Sequence, residues 1–376
     1  MSLPALTFSA LTAEIADSVG SLAEARWIVE AAVGRAVGSL QHAGGGSGEG
    51  SLVGTVDPAD VPPGEIVPRS VAPDLVAPAA VVSEARHIAS RRSVGEPLQY
   101  LLGFWAFRSL ELAVDPRVLI PRPETEQVVE VALCELTRLA GCRVGIRAVG
   151  AARDPESIVI ADLGTGSGAI ALSIALEGPN ALRSLARCPI GDAQTGKATS
   201  PAGPVKAERT NAPVELVVWA TDISNDALDV ARSNLETLVA TGDQGLLASR
   251  RINLVQGSWF DALPDGLLGR LDLVVSNPPY VSAAEWADLD PIVRDHEPYG
   301  ALVPDAESSS ASGFEAIAML INHALPWLAV PGALVIELAP HQADDAVQAA
   351  IGAGFQEAEI GCDLAGRARA LVARAL

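Results

Sequence analysis

A short apolar run that leads directly into a glycine-rich turn and then a helical segment is the feature that most restricts how this chain folds. The run is Ile158-Val-Ile-Ala-Asp-Leu163, the turn is Gly164-Thr165-Gly166-Ser167-Gly168, and the helical segment is Ala169-Ile-Ala-Leu-Ser-Ile-Ala-Leu176. The run is too short for a helix and has the composition of a buried parallel strand. Turn glycines let a ligand approach the backbone at a helix N-terminus. The segment therefore predicts an α/β sheet with a ligand-binding turn.

Further apolar runs repeat this pattern along the second half of the chain. They lie at residues 216–221, 252–255, 271–275 and 333–337, with helical stretches at 225–237, 313–328 and 342–353. Strands that alternate with helices predict a doubly wound parallel sheet. Between 178 and 213 the sequence becomes polar and rich in proline and glycine, which indicates a loop insertion.

The N-terminal region has a different pattern. Residues 9–40 carry apolar side chains at helical spacing, which predicts two short helices, and residues 82–93 are helical again. Residues 44–80 are rich in glycine and proline, so we interpret them as a flexible insertion, with a linker between domains as the alternative. Residues 110–114 alternate as a strand does. We expect an N-terminal helical domain at 1–104 and a second domain at 105–376.

Charge and cysteine content exclude several classes of function. Among 376 residues, 46 are acidic and 26 are Lys or Arg, a formal net charge of −20 that repels phosphate backbones. Direct binding to nucleic acid is therefore not expected. The four cysteines form no Cys-x-x-Cys pair and the five histidines show no zinc-ligand spacing, so no metal is expected. The sequence has no secretory pattern and no long apolar run, so we expect a cytoplasmic protein without a membrane partner.

The glycine turn alone leaves the ligand open. Gly164, Gly166 and Ala169 also satisfy the dinucleotide fingerprint G-x-G-x-x-A, so a nicotinamide dehydrogenase is an alternative, as is a tight turn without a ligand. Asp222, which closes the second strand, is placed to accept hydrogen bonds from the hydroxyls of an adenosine ribose, or else to cap the following helix. Trp259 follows the third strand and would cover an adenine or fill the core.

Asn277-Pro278-Pro279-Tyr280 favours one of these alternatives. It ends the strand predicted beside the ligand, and its two prolines fix the backbone, so that Asn277 and the Pro278 carbonyl point at one place. Two acceptors there would hold an NH₂ group and favour the charge that develops when its nitrogen attacks a methyl group. Tyr280 would cover a planar substrate group. A dehydrogenase would leave this motif unexplained.

Gly164-Thr-Gly-Ser-Gly168 with Asn277-Pro-Pro-Tyr280 resembles the class I S-adenosylmethionine-dependent methyltransferases that act on planar nitrogen. A more specific resemblance is to the HemK/PrmC peptide chain release factor glutamine methyltransferases. Its motifs cover most of the chain outside the insertions: Gly95-Glu-Pro-Leu-Gln-Tyr-Leu-Leu-Gly103, Leu119-Ile-Pro-Arg-Pro-Glu-Thr-Glu126, Gly257-Ser-Trp-Phe260, Glu297-Pro298 and Asp363-Leu-Ala-Gly-Arg367. The resemblance implies a class I (Rossmann-like) sheet and N5-methylation of the glutamine in the Gly-Gly-Gln motif of class 1 release factors.

The resemblance also implies roles for individual residues. Cofactor contacts would come from 164–168, Asp222, Trp259 and Asn277, and the glutamine amide would be held by 277–280. Arg122, Pro123 and Glu124 would lie at the substrate mouth, although the same residues also suit an extended segment followed by a helix N-terminus. Two other functions stay open at this point: an N-methyltransferase for a DNA or ribosomal RNA base, and a non-catalytic binding module. The chain departs from the family pattern in its two insertions and in a longer segment at 307–313.

Overall fold

A computed structural model describes residues 6–43, 73–146, 157–187, 215–304 and 312–376. The chain divides into two compact units. The first comprises Met1–Arg122 and Val281–Asp305, and the second comprises Pro123–Tyr280 and Ala306–Leu376. The first unit therefore extends past the expected boundary at residue 104 and includes a segment from the second half of the chain.

The helices, in chain order, are α1 Phe8–Val19, α2 Leu22–Ala43, α3 Ala79–Ser93, α4 Leu98–Leu102, α5 Pro123–Ile146, α6 Ala169–Arg187, α7 Asn225–Ala240, α8 Asp243–Ser249, α9 Ala283–Asp288, α10 Pro291–Arg294, α11 Tyr299–Leu302, α12 Glu315–Ala324 and α13 Ala343–Ala353. The strands are β1 Phe104–Phe107, β2 Leu110–Ala113, β3 Ser157–Leu163, β4 Glu215–Asp222, β5 Ile252–Gln256, β6 Leu271–Ser276, β7 Leu328–Glu337, β8 Glu357–Cys362 and β9 Ala368–Ala375.

The first unit is a small helical domain with one hairpin, β1 paired with β2. Its core contains the helically spaced Leu11 and Ile15 of α1, Ile28 of α2 and Ile88 of α3, all essentially inaccessible to solvent. Each helix thus buries one apolar stripe against the others, as the spacing predicts. The second helix, with 22 residues, is longer than expected.

The end of the proposed insertion at 44–80 is not where the sequence placed it. The backbone N–H of Ala77 donates to the carbonyl of Leu6 at 2.8 Å, and the N–H of Phe8 donates to the carbonyl of Leu75 at 2.9 Å. Ala77 itself is buried. Residues 73–80 therefore belong to the folded domain, and proline content there reflects an extended segment. Residues 44–72 lie outside the described residues.

The second unit is built on a seven-stranded sheet with the order β5-β4-β3-β6-β7-β9-β8. The five strands from β5 to β7 are parallel, whereas β9 runs antiparallel to both β7 and β8. This arrangement confirms the predicted α/β fold and is the class I sheet that the resemblance implies. The antiparallel pair was not predicted, because the edge strand β8 alternates between exposed and half-buried residues and lacks an apolar run.

The second insertion also begins later than expected, because α6 continues through Gly178 and Pro179 to Arg187. A Cβ at Gly178 would lie 2.9 Å from Leu216 Cδ2 and 3.2 Å from Leu136 Cδ2. This glycine therefore marks close packing inside a helix and not the start of a loop. Residues 188–213 of the expected insertion, like residues 307–311 of the third departure, lie outside the described part of the chain.

Within the described ranges, every helix is either too short or too polar to cross a bilayer.

Candidate active site

Three strands of the second unit end side by side and bring three predicted site residues to one edge of the sheet. Leu163 of β3 is in register with Thr221 of β4 on one side and with Ser276 of β6 on the other. The next residues along these strands are Gly164, Asp222 and Asn277. The order of connections reverses between β3 and β6, and ligands bind parallel sheets at such a position, beyond the carboxyl ends of the strands.

The glycine turn requires glycine at its first position for two separate reasons. Gly164, Gly166 and Gly168 have φ angles of 76°, 55° and 85°, which side chains rarely adopt. A Cβ at Gly164 would also lie 3.3 Å from Cζ3 of Trp259, whereas one at Gly166 would meet nothing within 4 Å. The indole of Trp259 therefore lies against the turn at its first glycine.

Thr165 and Ser167 of the turn are held by hydrogen bonds with the side chains of Asp162 and Asn234. Thr165 Oγ1 donates to Asp162 Oδ2 at 2.6 Å, and the carbonyl of Ser167 accepts from Asn234 Nδ2 at 2.9 Å. Burial raises the pKa of Asp162 to about 7, against the opposing effect of hydrogen bonds from Thr165 and the N–H of Ala171. Asp162 was not predicted as a site residue, although its position two residues before the first turn glycine was a signal for it. These contacts keep the turn in one conformation.

Asp222 connects the turn to the neighbouring strand. Its Oδ2 accepts from the N–H of Gly166 at 2.8 Å, and its Oδ1 accepts from the N–H of Ser224 at 2.9 Å. Burial raises its pKa, opposed by these backbone donors. The alternative role as a helix cap is wrong, because Ser224 is the N-cap of α7 and accepts from the N–H of Ala227. The N–H of Ile223 also acts on this carboxylate, and a carboxylate has about four acceptor positions, so it can still accept from a ligand.

These residues fit an adenosine-containing cofactor. The carboxylate of Asp222 is followed by Ile223, an apolar side chain that is 72 % exposed next to the glycine turn. A flat, partly apolar base would cover this side chain, while ribose hydroxyls would find an acceptor in Asp222. Trp259 is partly buried against the core of the second unit, so the proposed core role is correct, and an adenine contact stays a prediction.

Asn277-Pro278-Pro279-Tyr280 is held by side chains from three other elements. Asn277 Nδ2 donates to Thr125 Oγ1 at 3.3 Å, and Tyr280 Oη donates to Glu337 Oε1 at 3.2 Å. The carbonyl of Tyr280 accepts from Gln342 Nε2 at 3.1 Å. Thr125, Glu337 and Gln342 were not predicted as site residues from the sequence. A carboxylate at the end of a predicted buried strand was the available signal for Glu337.

The three residues expected at the substrate mouth belong to both units, Arg122 to the first and Pro123 and Glu124 to the second. In the first unit, the guanidinium of Arg122 pairs with the buried carboxylate of Glu297, which also accepts from the N–H of Ile120 at 3.1 Å. Pro123 is the first residue of α5, and Glu124 and Glu126 lie in its first turn, as the helix N-terminus interpretation predicts.

Glu124 faces two arginines of the C-terminal motif. Its Oε1 lies 3.7 Å from Nη2 of Arg367 and 3.6 Å from Nη2 of Arg369. Both arginines also pair with Asp363, whose pKa is lowered to about 2 by the N–H of Arg367 and by these guanidinium groups. Two motifs that lie far apart in the sequence therefore meet within the second unit.

Comparison with known proteins gives a consistent set of relatives. No protein-family model matches the chain. The chain is 34 % identical over 288 residues to the release factor glutamine methyltransferase of Rhodopirellula baltica, covering 76 % of each protein. It is 36 % identical over 260 residues to the release factor glutamine methyltransferase of Gloeobacter violaceus, covering 69 % of this chain and 68 % of that one. The solved N-terminal domain of human METTL16 in complex with SAH is 14 % identical, covering 77 % of this chain and 82 % of that one. Its TM-score of 0.39 is too low to support any inference.

Proposed function

The chain belongs to the release factor glutamine methyltransferases, and from that membership we propose that its substrate is the glutamine of the Gly-Gly-Gln motif in class 1 peptide chain release factors. The enzyme methylates the N5 nitrogen of glutamine in a release factor, and S-adenosylmethionine is the methyl donor. We also propose that it acts in the cytoplasm, where translation terminates. The observation that carries the proposal is the position of Asn277 directly beside the glycine turn, on adjacent strands.

The chemical difficulty of this reaction lies in the acceptor. The nitrogen of a carboxamide is a weak nucleophile because its lone pair is delocalised, so the enzyme must hold the nitrogen and stabilise the positive charge that develops on it. S-adenosylmethionine supplies a methyl group activated by the adjacent sulfonium. The side-chain oxygen of Asn277 and the carbonyl of Pro278 would accept hydrogen bonds from the NH₂ group, and these bonds strengthen as charge develops.

The arrangement of Asn277 supports this role. One hydrogen of its Nδ2 is donated to Thr125, which orients the amide, and Oδ1 is the atom that can accept from a substrate NH₂. Tyr280 is partly buried against the core and anchored through its hydroxyl to Glu337, so its ring has a fixed position. In that position the ring would cover the amide plane and exclude water.

Other residues would bind without taking part in the chemistry. We propose that the glycine turn at 164–168, Asp222 and Trp259 hold the cofactor, and that Arg122, Pro123 and Glu124 contribute to recognition of the release factor. The contacts of Arg122 with Glu297 and of Glu124 with Arg369 restrict these side chains before any partner binds. Restricted side chains lose less entropy on binding.

The proposal is tested by transfer of labelled methyl from S-adenosylmethionine to a purified release factor, with the product mapped by mass spectrometry. The matched control is the same release factor with the glutamine of Gly-Gly-Gln replaced by alanine, which should stay unlabelled. Asn277→Ala should slow single-turnover transfer by roughly 10² to 10³, as for loss of one preorganised contact to a developing charge. Equal labelling of both release factors would overturn the glutamine assignment, and labelling of DNA or ribosomal RNA instead would overturn the substrate class.

A further inference from the structure

A buried carboxyl group lies beneath the proposed glutamine site. Glu337 is the last residue of β7 and is 1 % exposed. The preceding residue, Ile336, is in register with Ser276 of β6, so Glu337 lies beside Asn277 at the edge of the sheet. Its Oε1 accepts from the hydroxyl of Tyr280, and its Oε2 is buried with no hydrogen-bond partner among the described residues. Burying a carboxyl group that is only partly hydrogen-bonded costs stability, so its presence at this edge of the sheet calls for an explanation.

Thr125 lies between this carboxyl and Asn277. Its side chain is buried in the first turn of α5, and its Oγ1 accepts from Asn277 Nδ2. The same hydroxyl favours the charged carboxylate of Glu337 and lowers its pKa. Among the described residues, the side-chain hydroxyls that lower the pKa of Glu337 are those of Thr125 and Tyr280.

The hydrogen-bond donors and acceptors of Glu337, Thr125 and Asn277 determine whether the oxygen or the NH₂ of the Asn277 amide faces Thr125. A carboxylate only accepts hydrogen bonds, so in any interaction between Thr125 and an ionised Glu337 the hydroxyl of Thr125 must be the donor. The oxygen of Thr125 is then left as an acceptor, and the group of Asn277 that faces it must be the NH₂. The oxygen of Asn277 is thereby directed away from Thr125.

We propose that Thr125 and Glu337 are positioning residues that fix the orientation of the Asn277 amide, so that its oxygen and not its NH₂ group meets the acceptor nitrogen of the substrate. The inference rests on the proposed function, since it concerns the atom that holds the substrate amide. If the amide of Asn277 were reversed, its NH₂ would face the NH₂ of the substrate. Two donors would then oppose each other, and the developing positive charge would be destabilised.

The proposal predicts a pH dependence of the methyl-transfer step. Burial raises the pKa of Glu337 to about 7; the hydroxyls of Thr125 and Tyr280 and the charge of Arg369 oppose this effect, and Glu124 reinforces it. Protonated Glu337 is a donor, so it releases the hydroxyl hydrogen of Thr125 and the amide of Asn277 loses its fixed orientation. The single-turnover rate should therefore fall as the pH is lowered through about 7. Glu337→Gln should lose the part of this dependence that comes from Glu337 and retain only what Asp162, whose pKa is also about 7, contributes.

The decisive experiment is a double-mutant cycle on single-turnover methyl transfer. Thr125→Val keeps the shape of the side chain and removes the hydroxyl, and it should lower the rate roughly 10- to 100-fold. Thr125→Ser restores the hydroxyl and should retain most of the wild-type rate. In an Asn277→Ala background, Thr125→Val should have no further effect, because the group on which it acts is gone. Multiplicative effects of the two substitutions would overturn the proposal and assign Thr125 a structural role.

A second measurement needs no release factor and so separates this proposal from the proposed function. In ¹⁵N-labelled protein, the side-chain NH₂ signal of Asn277 is identified by its loss in Asn277→Ala. We expect this signal to shift in Thr125→Val and to titrate near pH 7 in the wild type but not in Glu337→Gln. A signal that is unchanged by both substitutions would overturn the proposal even where methyl transfer to the release factor is observed. Titration of the signal without methyl transfer would uphold it and reject the proposed substrate.

Discussion

Gly164 combines a backbone conformation and a neighbour that each disfavour a side chain. Its φ is 76°, and an added Cβ would lie 3.3 Å from the ring of Trp259, whereas Gly166 shares the positive φ but has open space around it. The two positions therefore separate backbone strain from steric contact within one turn. A difference in stability between Gly164→Ala and Gly166→Ala therefore measures the effect of the contact with the indole of Trp259.

We expect Gly166→Ala to lower the free energy of unfolding by about 1 kcal/mol, the cost of a left-handed conformation for a residue with a Cβ. Gly164→Ala should cost about 2 to 3 kcal/mol, since the indole must also shift. Urea denaturation measures both values. Calorimetric titration with S-adenosylmethionine should show weaker binding for Gly164→Ala, and equal stability of the two variants would contradict the contact with Trp259.

Glu337 should make stability depend on pH in the direction opposite to a salt-bridged carboxylate. Burial raises its pKa in the folded protein from an ordinary 4.5 to about 7, so the folded state retains a proton that the unfolded chain releases. Its contribution is therefore fully present below pH 4.5 and is lost as the pH rises to about 7. Glu337→Gln cannot ionise and should lack this loss.

The free energy of unfolding of Glu337→Gln minus that of the wild type should increase by roughly 2 to 4 kcal/mol between pH 4.5 and pH 8. Asp162 titrates in the same range but is present in both proteins, so it cancels in the comparison. Denaturant unfolding at the two pH values measures the effect. A constant difference between the two proteins would show that burial does not raise the pKa of Glu337 above its value in the unfolded chain.

At the scale of elements, α6 shows how packing changes the meaning of a glycine. Gly178 lies in the middle of this helix, where a Cβ would lie 2.9 Å from Leu216 of β4 and 3.2 Å from Leu136 of α5. Alanine has the higher helix propensity by about 1 kcal/mol, but inserting a methyl group into packed side chains costs about 1 to 3 kcal/mol. The packing term is the larger of the two.

Gly178→Ala should therefore lower the melting temperature, despite the gain in propensity. The matched control is Gly141→Ala, an exposed position inside α5 where an added Cβ meets nothing within 4 Å. That variant should be as stable as the wild type or more so, by up to about 1 kcal/mol. Thermal unfolding of the two variants compares them directly, and stabilisation by Gly178→Ala would refute the close contact between α6, β4 and α5.

The elements that could be predicted from the sequence are those whose pattern is set locally. Buried parallel strands such as β3 and β6 are continuous apolar runs, and the turn glycines need their positive φ whatever surrounds them, so both were found. The edge strand β8 was missed because half of its residues face solvent. Gly178 was misread because its close neighbours, Leu136 and Leu216, lie far from it in the sequence. Thr125 and Glu337 were missed for the same reason, since they are 212 residues apart in numbering and meet only through the fold.

At the scale of the whole molecule, the distribution of charge bears on the choice of partner. The net charge of −20 argues against nucleic acid, but a local basic surface in the first unit would offset it. The basic run around α3 supplies the strongest candidate. In the structure, Arg86 pairs with Glu14 at 2.6 Å, Arg92 pairs with Glu24 at 2.8 Å, and Arg91 pairs with Glu96. These pairs neutralise the run, although exposed pairs contribute little to stability.

We therefore expect the protein to show no binding to a fluorescent DNA or RNA duplex at about 0.1 M salt, measured by anisotropy. A variant with Glu14→Gln, Glu24→Gln and Glu96→Gln removes the carboxylates that pair with these arginines and serves as the matched control. It should bind weakly. In a plot of the logarithm of the binding constant against the logarithm of the salt concentration, the slope should be about −0.9 for each phosphate contacted. Salt-dependent binding by the wild type would show that another basic surface exists. Removing three carboxylates beside these arginines must strengthen a purely electrostatic contact with phosphate. Equal binding by both proteins would therefore show that the ion pairs around α3 do not prevent binding to nucleic acid.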